Sequence, residues 1–379
     1  MAEGQKPYRL YRGGRTKGKV PLSKSTPREP ASPRAPRQRR RRRWWLWIAL
    51  TVVGLLLFAV AWGALGYLSF ARGVEKANAR LPAAAAAELA DRGSSLLSEP
   101  TTILVMGTDG GRAAGREDSQ RSDSLLLLRT DPKRNRLSYL SIPRDLRVEV
   151  PGYGTEKINT ASQLGGPALT LRTVRALTGI PIDHVVVVDF DGFKELIDAI
   201  GGIEVNVPRP ILSNRFDCPY TRERCREWEG WRFAKGPQHM DGRRALVYSR
   251  IRTNRLDPSD TDISRTTRQQ AVAEAVGDEI ASIGTFLRLP FIGDSLATPL
   301  TTDLSAGELA RLGWVRFRAS AASSLHCRLG GDPATVGGES VLIGSEDNVG
   351  VIAMFLRASA PQPPPKGQLY APGCTRRPR

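Results

Sequence analysis

Histidine is scarce in this chain of 379 residues, which contains only His184, His239 and His326. The run after His184 is apolar and typical of a buried strand, and no Gly-x-Ser-x-Gly motif presents a nucleophilic serine. The composition therefore argues against a serine, histidine and aspartate hydrolase. It also argues against a zinc site, because zinc ligands are usually histidines and cysteines at short spacings.

The phosphate-binding loops of nucleotide proteins are missing as well. No Gly-x-Gly-x-x-Gly motif follows an apolar, strand-like run, and no Gly-x-x-x-x-Gly-Lys-Ser/Thr motif occurs. The pair Gly110-Gly111 is too short a signal by itself. The sequence does not indicate a nucleotide-binding fold.

Acidic residues are rare at the amino-terminal end. The formal net charge of the chain is +18, and 13 of these charges lie in residues 1–43, which hold 15 Lys and Arg against 2 Glu. Such local basicity is a poor indication of nucleic-acid binding, and we expect no nucleic-acid partner. Residues 1–43 are rich in Pro, Gly, Ser and Arg and lack an apolar period, which predicts a disordered basic tail.

One long apolar run is present, and no charged residue interrupts it from Trp44 to Leu68. As a helix it rises about 37 Å, enough to cross a hydrocarbon core of about 30 Å. The arginines at 39–43 predict a cytoplasmic amino terminus, and the aromatic residues near both ends suit the membrane interfaces. We therefore predict an uncleaved signal anchor with a single span. A cleaved signal peptide would have a shorter apolar region, and a buried core helix would not follow five arginines.

The chain has four cysteines, and none shows the Cys-x-x-Cys spacing of a zinc site. Outside the cytoplasm, four cysteines suggest two disulfides. We favour Cys218 with Cys225, which closes a local loop, and Cys327 with Cys374, which fastens the C-terminal tail. The sequence leaves the other two pairings open.

Strands and helices alternate after this anchor, which favours a layered α-β-α single domain with a central mixed sheet. Residues 69–100 are interpreted as a stalk with a short helix ending at Gly93. The catalytic domain is expected over residues 101–285. Residues 286–379 are expected to pack on the same domain and to end in a Pro-rich tail.

The predicted elements follow from apolar periodicity and from Pro and Gly at helix ends. In chain order they are strands at 103–106, 125–128 and 137–142, a helix at 167–178, a strand at 185–188, a helix at 193–200, a strand at 203–207, helices at 240–247, 265–280 and 305–312, a strand pair near 325 and 341, and a helix at 348–356. Residues 209–238 are interpreted as a long loop insertion. Residues 248–252 are expected to be extended, so that two arginines share one face.

Carboxylates and arginines gather at the ends of the first three predicted strands. Asp109 follows the first strand, Arg121-Ser-Asp123 precedes the second, and Arg144-Asp145 follows the third. Two such aspartates suit Mg²⁺, which takes one or two protein carboxylates together with phosphate oxygens and water. The arginines that would neutralise the phosphates with forked donors are Arg121, Arg144, Arg250 and Arg252. Each of these residues alone could simply form an ion pair at the surface. Together, the aspartates and arginines predict a site for a phosphate group and a metal ion.

Seven short motifs over about residues 100 to 280 resemble the LytR-CpsA-Psr family of envelope phosphotransferases. They are Val105-Met-Gly-Thr-Asp109, Arg121-Ser-Asp123, Ser141-Ile-Pro-Arg144-Asp145, Lys157-Ile-Asn159, Gly201-Gly202, Arg250-Ile-Arg252 and Arg268-Gln269-Gln270. Each motif alone is a weak signal, whereas their order and spacing together are specific. A single amino-terminal anchor with an exported domain is also typical of this family.

The resemblance implies roles for individual residues. Asp109 and Asp123 match the Mg²⁺-binding aspartates of the family. The residues that it assigns to the pyrophosphate are Arg121, Arg144, Arg250, Arg252, Arg268 and Gln269. The residues that it assigns to catalysis are Arg121, Arg144, Asp145, Asp262 and Arg265. The loop 253–261 leaves open whether Asp262 or Asp260 occupies the family position, and Lys157 and Asn159 are expected to shape the site.

The resemblance also implies a reaction. Family members move a glycopolymer from polyprenyl pyrophosphate to a sugar hydroxyl of peptidoglycan, on the outer face of the cytoplasmic membrane, with Mg²⁺ as cofactor. Two alternatives stay open on the sequence alone. A membrane-anchored binder or regulator of envelope polymers would need the arginines but not the paired aspartates, and a lipid-carrier pyrophosphatase would use water as acceptor.

Overall fold

The computed structural model describes residues 38–90, 96–109, 122–257, 260, 262–319, 323–365, 368 and 370–376. The side chains of residues 38–42, 123, 262 and 263 lie outside this description. The chain divides into two compact units, residues 1–56 and residues 57–379. The predicted tail falls mostly outside the described residues, and its last residues, from Gln38, already belong to a helix.

Helices cover both the anchor and much of the second unit. In the described part of the chain they are α1 Gln38–Asn78, α2 Ala83–Ala86, α3 Thr160–Thr178, α4 Phe190–Ile200, α5 Arg222–Glu227, α6 Gly242–Arg250, α7 Asp262–Ile280, α8 Ile283–Ala297, α9 Ala306–Arg318 and α10 Asn348–Phe355. Helix α1 is long and apolar enough to cross a membrane. This agrees with the predicted anchor.

The strands of the second unit are short. They are β1 Thr102–Thr108, β2 Ser122–Asp131, β3 Arg136–Ile142, β4 Leu146–Val150, β5 Gly154–Lys157, β6 His184–Asp189, β7 Ile203–Val207, β8 Ile211–Leu212, β9 Arg232–Phe233, β10 Gly236–Met240, β11 Leu300–Thr302, β12 Leu325–Arg328, β13 Gly331–Val336, β14 Glu339–Gly344 and β15 Gly373–Arg376.

Seven of these strands form the central sheet, in the order β11-β6-β1-β2-β3-β12-β15. The pairs β1 with β6 and β3 with β12 are parallel, and the other neighbouring pairs are antiparallel. The predicted mixed sheet is confirmed. The three strands around Asp109, Asp123 and Arg144 are direct neighbours, as expected.

Helices cover both faces of the sheet because β2 is apolar on both sides. Leu125 and Leu127 point to a core that includes residues of α3 and α10. Leu126 and Leu128 point the other way and pack with residues of α7 and α9. Successive side chains of a strand face opposite sides, so a continuous leucine run buries both faces. The result is the predicted α-β-α layering.

Three predicted pairings or boundaries differ from the structure. Strand β7 exists but pairs with β10 in a separate two-stranded sheet. Leu325 and Val341 lie in different sheets, because β14 pairs with β4 and β13. Residues 248–250 are helical rather than extended, since α6 continues to Arg250. Local periodicity identifies a strand, but only the tertiary fold selects its partner.

The segment interpreted as a stalk packs on the domain. Helix α1 continues to Asn78, and its Val74 is buried with Ala297 and Ala306. Ala85 of α2 is fully buried in the core beneath the sheet. Small apolar side chains at these positions let the chain approach closely, so the domain begins well before Thr101. Gly93, the expected end of the stalk helix, lies outside the described residues.

Both disulfides join the cysteines in the favoured pairing. Cys218 pairs with Cys225 in the insertion between β7 and α6. Cys327 of β12 pairs with Cys374 of β15, and both cysteines are buried. The tail after Pro361 is therefore fixed as an edge strand of the central sheet, rather than held by the disulfide alone.

Candidate functional site

The strand directions bring the predicted site residues to one edge of the central sheet. Strands β6, β1, β3 and β12 all end at this edge, and β2 begins there. Asp189 ends β6, Asp109 follows β1, Arg144 follows β3 and Arg328 ends β12. Polar residues at the ends of four of these five adjacent strands thus lie along one edge of the sheet, which we call the polar edge.

The two predicted metal ligands lie at the ends of adjacent strands. Gly107 pairs with Ser124 and Thr108 pairs with Ser122, so Asp123 is the extra residue of a β-bulge. Asp109 directly follows β1 and is exposed. The carboxylate of Asp123 lies outside the described atoms, and Arg121 lies outside the described residues. Among the residues described, no group of three or more Asp, Glu, His or Cys could hold a metal.

The turn that carries Arg144 is fixed by its backbone. The backbone N–H of Asn159 donates to the backbone carbonyl of Arg144 at 3.2 Å. The backbone N–H of Leu342 donates to the backbone carbonyl of Asp145 at 2.9 Å. The Arg144 guanidinium also lies 3.3 Å from the Asp145 carboxylate. Asn159 thus shapes the site through its backbone. Asp145 orients the arginine, as the adjacent positions suggested.

Arg144 faces a pocket at the polar edge that also contains Arg265 and Gln269 of α7. The side chain of Arg144 is 17% exposed, and Arg265 is buried. Arg328 lines the same pocket and donates to the carbonyl of Ala371 at 3.0 Å. Burial lowers the pKa of Arg328, because desolvation disfavours its charged form. Three guanidinium groups and one amide therefore converge on one small volume.

Arg328 was not anticipated. It lies in the region after residue 285, where no motif was recognised, and a single arginine at the end of a short strand carries no local signal. The parallel pairing of β12 with β3 brings it beside Arg144. A strand that joins the sheet from more than 180 residues away cannot be positioned from sequence periodicity.

Three consecutive residues of α7 have different environments: Arg268, Gln269 and Gln270. The Ser124 hydroxyl lies 3.4 Å from Oε1 of Gln269, which connects α7 to the bulged strand β2. The amide of Gln270 donates to the Ser141 hydroxyl and to the carbonyl of Cys327, both at 2.8 Å. Gln269 therefore faces the site, whereas Gln270 fastens α7 to β3 and β12.

Arg268 was expected to contact pyrophosphate, but it is only 4% exposed. Its guanidinium donates to the Asp260 carboxylate at 2.7 Å and also to the carbonyl of Ile251. Burial raises the pKa of the neighbouring Tyr248 to about 12, with Arg268 and Asp260 acting in opposite directions. Arg268 thus acts by holding the loop before α7 in place. Asp262 begins α7, and its side chain lies outside the described atoms.

Arg250 lies at the other end of the polar edge. Its guanidinium stands over the Phe190 ring at 4.5 Å and pairs with Asp217. Phe190 directly follows β6, the parallel neighbour of β1. Arg252 is exposed in the loop after α6. Arg250 and Arg252 are not among the residues that line the pocket with Arg144, so the structure does not bring all the predicted basic residues together.

Lys157 is engaged away from this pocket. Its ammonium group lies 2.7 Å from the Glu339 carboxylate, which joins β5 to β14. The ion pair supports the small sheet that carries the Arg144 turn. Lys157 is therefore linked to the Arg144 turn through this sheet.

The chemistry available at the polar edge is that of anion binding. Forked guanidinium donors suit phosphate oxygens, and their low exposure strengthens the attraction because less water screens it. Asp109 and Asp123 belong to the same edge of the sheet, and carboxylates are hard oxygen donors.

Comparisons with known proteins agree with this geometry. The LytR_cpsA_psr family profile matches residues 69–353. The polyisoprenyl-teichoic acid--peptidoglycan teichoic acid transferase TagU of Bacillus mycoides (strain KBAB4) is 36% identical over 200 residues. That alignment covers 52% of this chain and 58% of the relative, so the chain spans little more than half of its length.

Solved structures share the fold. The crystal structure of B. subtilis TagV superposes with a TM-score of 0.58 at 29% identity, covering 69% of this chain and 97% of that one. The family protein YwtF (TagT) with bound octaprenyl pyrophosphate lipid has a TM-score of 0.52 at 23% identity, covering 71% and 93%. Because its sequence identity is only 23%, the similarity to YwtF (TagT) establishes the fold alone. With the family profile covering most of the chain, this protein belongs to the LytR_cpsA_psr family.

Proposed function

We propose that this protein is a Mg²⁺-dependent phosphotransferase of the cell envelope. It moves a glycopolymer from polyprenyl pyrophosphate to a sugar hydroxyl of peptidoglycan. The observation that supports it best is the convergence of Arg144, Arg265, Gln269 and Arg328 in one pocket at the polar edge. The name of the relative TagU, a transferase of polyisoprenyl-linked teichoic acid to peptidoglycan, supports the substrate class.

In the proposed reaction, the acceptor hydroxyl oxygen forms a bond to the phosphorus atom next to the glycopolymer. The bond from this phosphorus to the bridging oxygen breaks, and polyprenyl phosphate leaves with the electron pair. The hydroxyl proton is released, and the leaving phosphate is able to accept it. Arg144 and Arg328 bind the phosphates, and their charges are complementary to the negative charge that develops on the leaving oxygen.

Asp109 and Asp123 are the residues that we assign to a magnesium ion at the polar edge. Asp109 follows β1 and Asp123 lies near the start of the adjacent strand β2, and this ion prefers hard oxygen donors such as carboxylates. One or two protein carboxylates are the usual number when substrate phosphates complete the coordination. The bound ion would neutralise the pyrophosphate charge.

Helix α1 is the proposed membrane anchor. It leaves residues 1–43 in the cytoplasm and the catalytic domain outside the membrane, because the arginines at 39–43 precede the apolar run. The catalytic domain includes residues 101–285 and, from the packing described above, the C-terminal extension and residues 70–90. This placement lets a membrane-bound lipid carrier reach the polar edge.

The test is transfer of a polyprenyl-pyrophosphate-linked teichoic acid precursor to peptidoglycan, measured with and without Mg²⁺. Asp123→Asn should reduce Mg²⁺-dependent transfer at least tenfold. Asp131→Asn, at the opposite end of β2, is the matched control and should retain transfer.

The same assay separates the alternative functions. Full transfer by the Asp123→Asn variant would argue against the metal role and favour a polymer binder. Release of polyprenyl phosphate at the same rate without peptidoglycan would identify water as the acceptor and favour a pyrophosphatase.

A further inference from the structure

Helices α8 and α9 present large apolar side chains to the outside of the fold. Six of these side chains are each more than half exposed, and we call them the apolar platform: Ile283, Phe286, Leu287 and Phe291 of α8, and Trp314 and Phe317 of α9. A mostly apolar groove of about 510 Å³ runs between the two helices. Soluble surfaces rarely gather so many large apolar groups, so the platform indicates a contact with something apolar.

Helix α8 packs directly along the distal part of α1. The rings of Trp62 and Phe291 lie 5.5 Å apart, and the indole nitrogen of Trp62 donates to the carbonyl of Leu287 at 3.1 Å. Gly293 lies so close to α1 that a Cβ there would be 2.7 Å from the backbone nitrogen of Phe70. Helix α8 therefore packs closely on residues 62–70 of α1.

The length of the apolar run places this contact at the membrane boundary. About 20 helical residues cross a hydrocarbon core, so a span that starts at Trp44 reaches its far side near Gly63. Trp62 lies at this boundary, where tryptophan is favoured. Leu287 and Phe291 contact Trp62 and share its depth.

We propose that the apolar platform is embedded in the distal leaflet, with lipid acyl chains as its occupant. The proposal rests on the proposed membrane anchor. Exposed Arg311 and Arg318 of α9 lie beside the platform, where they suit lipid phosphates. Arg288 instead turns back to the domain and donates to the carbonyl of Ala199 at 2.8 Å. The domain is thus seated on the bilayer at a fixed height, rather than carried on a flexible tether.

The experiment uses single-cysteine variants of the full chain in phospholipid vesicles. All four native cysteines are in disulfides, so a bimane label reacts at the introduced cysteine alone. Labels at Phe291→Cys and Phe317→Cys report on the platform. Leu56→Cys reports on the anchor. Tyr153→Cys is the exposed control, in a turn between β4 and β5.

Quenching by brominated lipids is measured at each site. Labels at Phe291 and Phe317 should be quenched at least twice as strongly as the label at Tyr153, and the Leu56 label should be quenched most. Platform labels quenched no more than the Tyr153 label would overturn the proposal. Platform labels shielded from aqueous iodide but untouched by bromolipid would indicate a protein partner, which also overturns it.

An unquenched label at Leu56→Cys would show that α1 is not inserted in the bilayer, and this result would overturn the proposal. Because the measurement needs no substrate, its failure is distinct from a failure of phosphotransfer. A second variant tests the platform independently of labelling. Phe286 is more than half exposed in the fold, so Phe286→Glu should weaken quenching of the label at Phe291→Cys, and unchanged quenching there would contradict the embedded position.

Discussion

Arg268 donates to the carboxylate of Asp260 at 2.7 Å, and both side chains are at least 96% buried. The pair connects the loop after α6 to the first turns of α7, and the same guanidinium reaches the carbonyl of Ile251. A buried charge is tolerated only when it is paired, because its hydration is lost. This pair therefore fixes the position of Gln269, one residue further on.

Removing one partner of this pair should destabilise the fold strongly. Asp260→Ala leaves the Arg268 charge buried without its carboxylate, and we expect a loss of about 3–5 kcal/mol in the free energy of unfolding. Denaturant unfolding of the full chain in detergent measures it. The control is Glu99→Gln, which breaks the exposed pair with Lys133 and should cost at most about 1 kcal/mol. Equal losses in the two variants would refute the structural role of Arg268.

Gln269 and Gln270 should respond to substitution in opposite ways. Gln270→Leu removes the donor to the Ser141 hydroxyl and the Cys327 carbonyl, and should cost about 1–3 kcal/mol in the free energy of unfolding. Gln269→Leu should leave stability nearly unchanged and reduce transfer activity. Unfolding and transfer assays on both variants check this separation. A lower free energy of unfolding for Gln269→Leu than for Gln270→Leu would contradict this prediction.

Arg144 should matter for transfer more than for stability. Arg144→Ala removes a charge-assisted contact to phosphate worth about 2 kcal/mol or more, which corresponds to at least about a 30-fold loss in kcat/KM. Arg134→Ala, which removes an exposed arginine at the opposite edge of the sheet, is the control. Unchanged kcat/KM in Arg144→Ala would exclude a role in phosphate binding.

Stability should depend on pH through His184. Burial by itself would lower the pKa of this histidine, but the hydrogen bond and charge of Asp303, at 2.6 Å, outweigh burial and raise the pKa above 6.5. A raised pKa in the folded state means that the stabilisation is fully present below pH 6.5 and is lost as pH rises through the folded value. Unfolding measured from pH 5 to 9 should show this loss.

Asp303→Asn is the matched variant for this pH series. Asp303 is the largest of the influences that raise the pKa of His184, so its replacement lowers this pKa, and the difference in stability between the wild type and the variant should shrink as pH increases. A difference that stays constant from pH 5 to 9 would rule out the linkage.

Much of the fold follows from local sequence. The leucine run of β2 and the β-branched run of β6 are strands by composition, and the long apolar part of α1 is evident from its uninterrupted apolar residues. By contrast, helix α8 was not anticipated. Its apolar residues lie on several sides because one side packs on α1 and α4, while the platform residues stay exposed.

The candidate site was predicted only in part. Arg144 and Gln269 were expected, and the structure brings them into one pocket. Arg268 looked equivalent to Gln269 in sequence, yet one helical step of about 100° directs it into the interior rather than the site. Arg328 reaches the pocket through a strand pairing that no local pattern encodes.

The sequence by itself determined the long apolar helix, the mixed α/β class and the family, and it favoured the two disulfides, because each depends on local composition or on short motifs in order. The tertiary structure decided which arginines share a pocket, which one is a buried partner of Asp260, and that residues 70–78 pack on α8. These outcomes depend on contacts between distant segments. The physical reason is that burial depends on how distant elements pack together. Burial sets both the strength of electrostatic interactions and the contribution to stability, and the local sequence does not specify it.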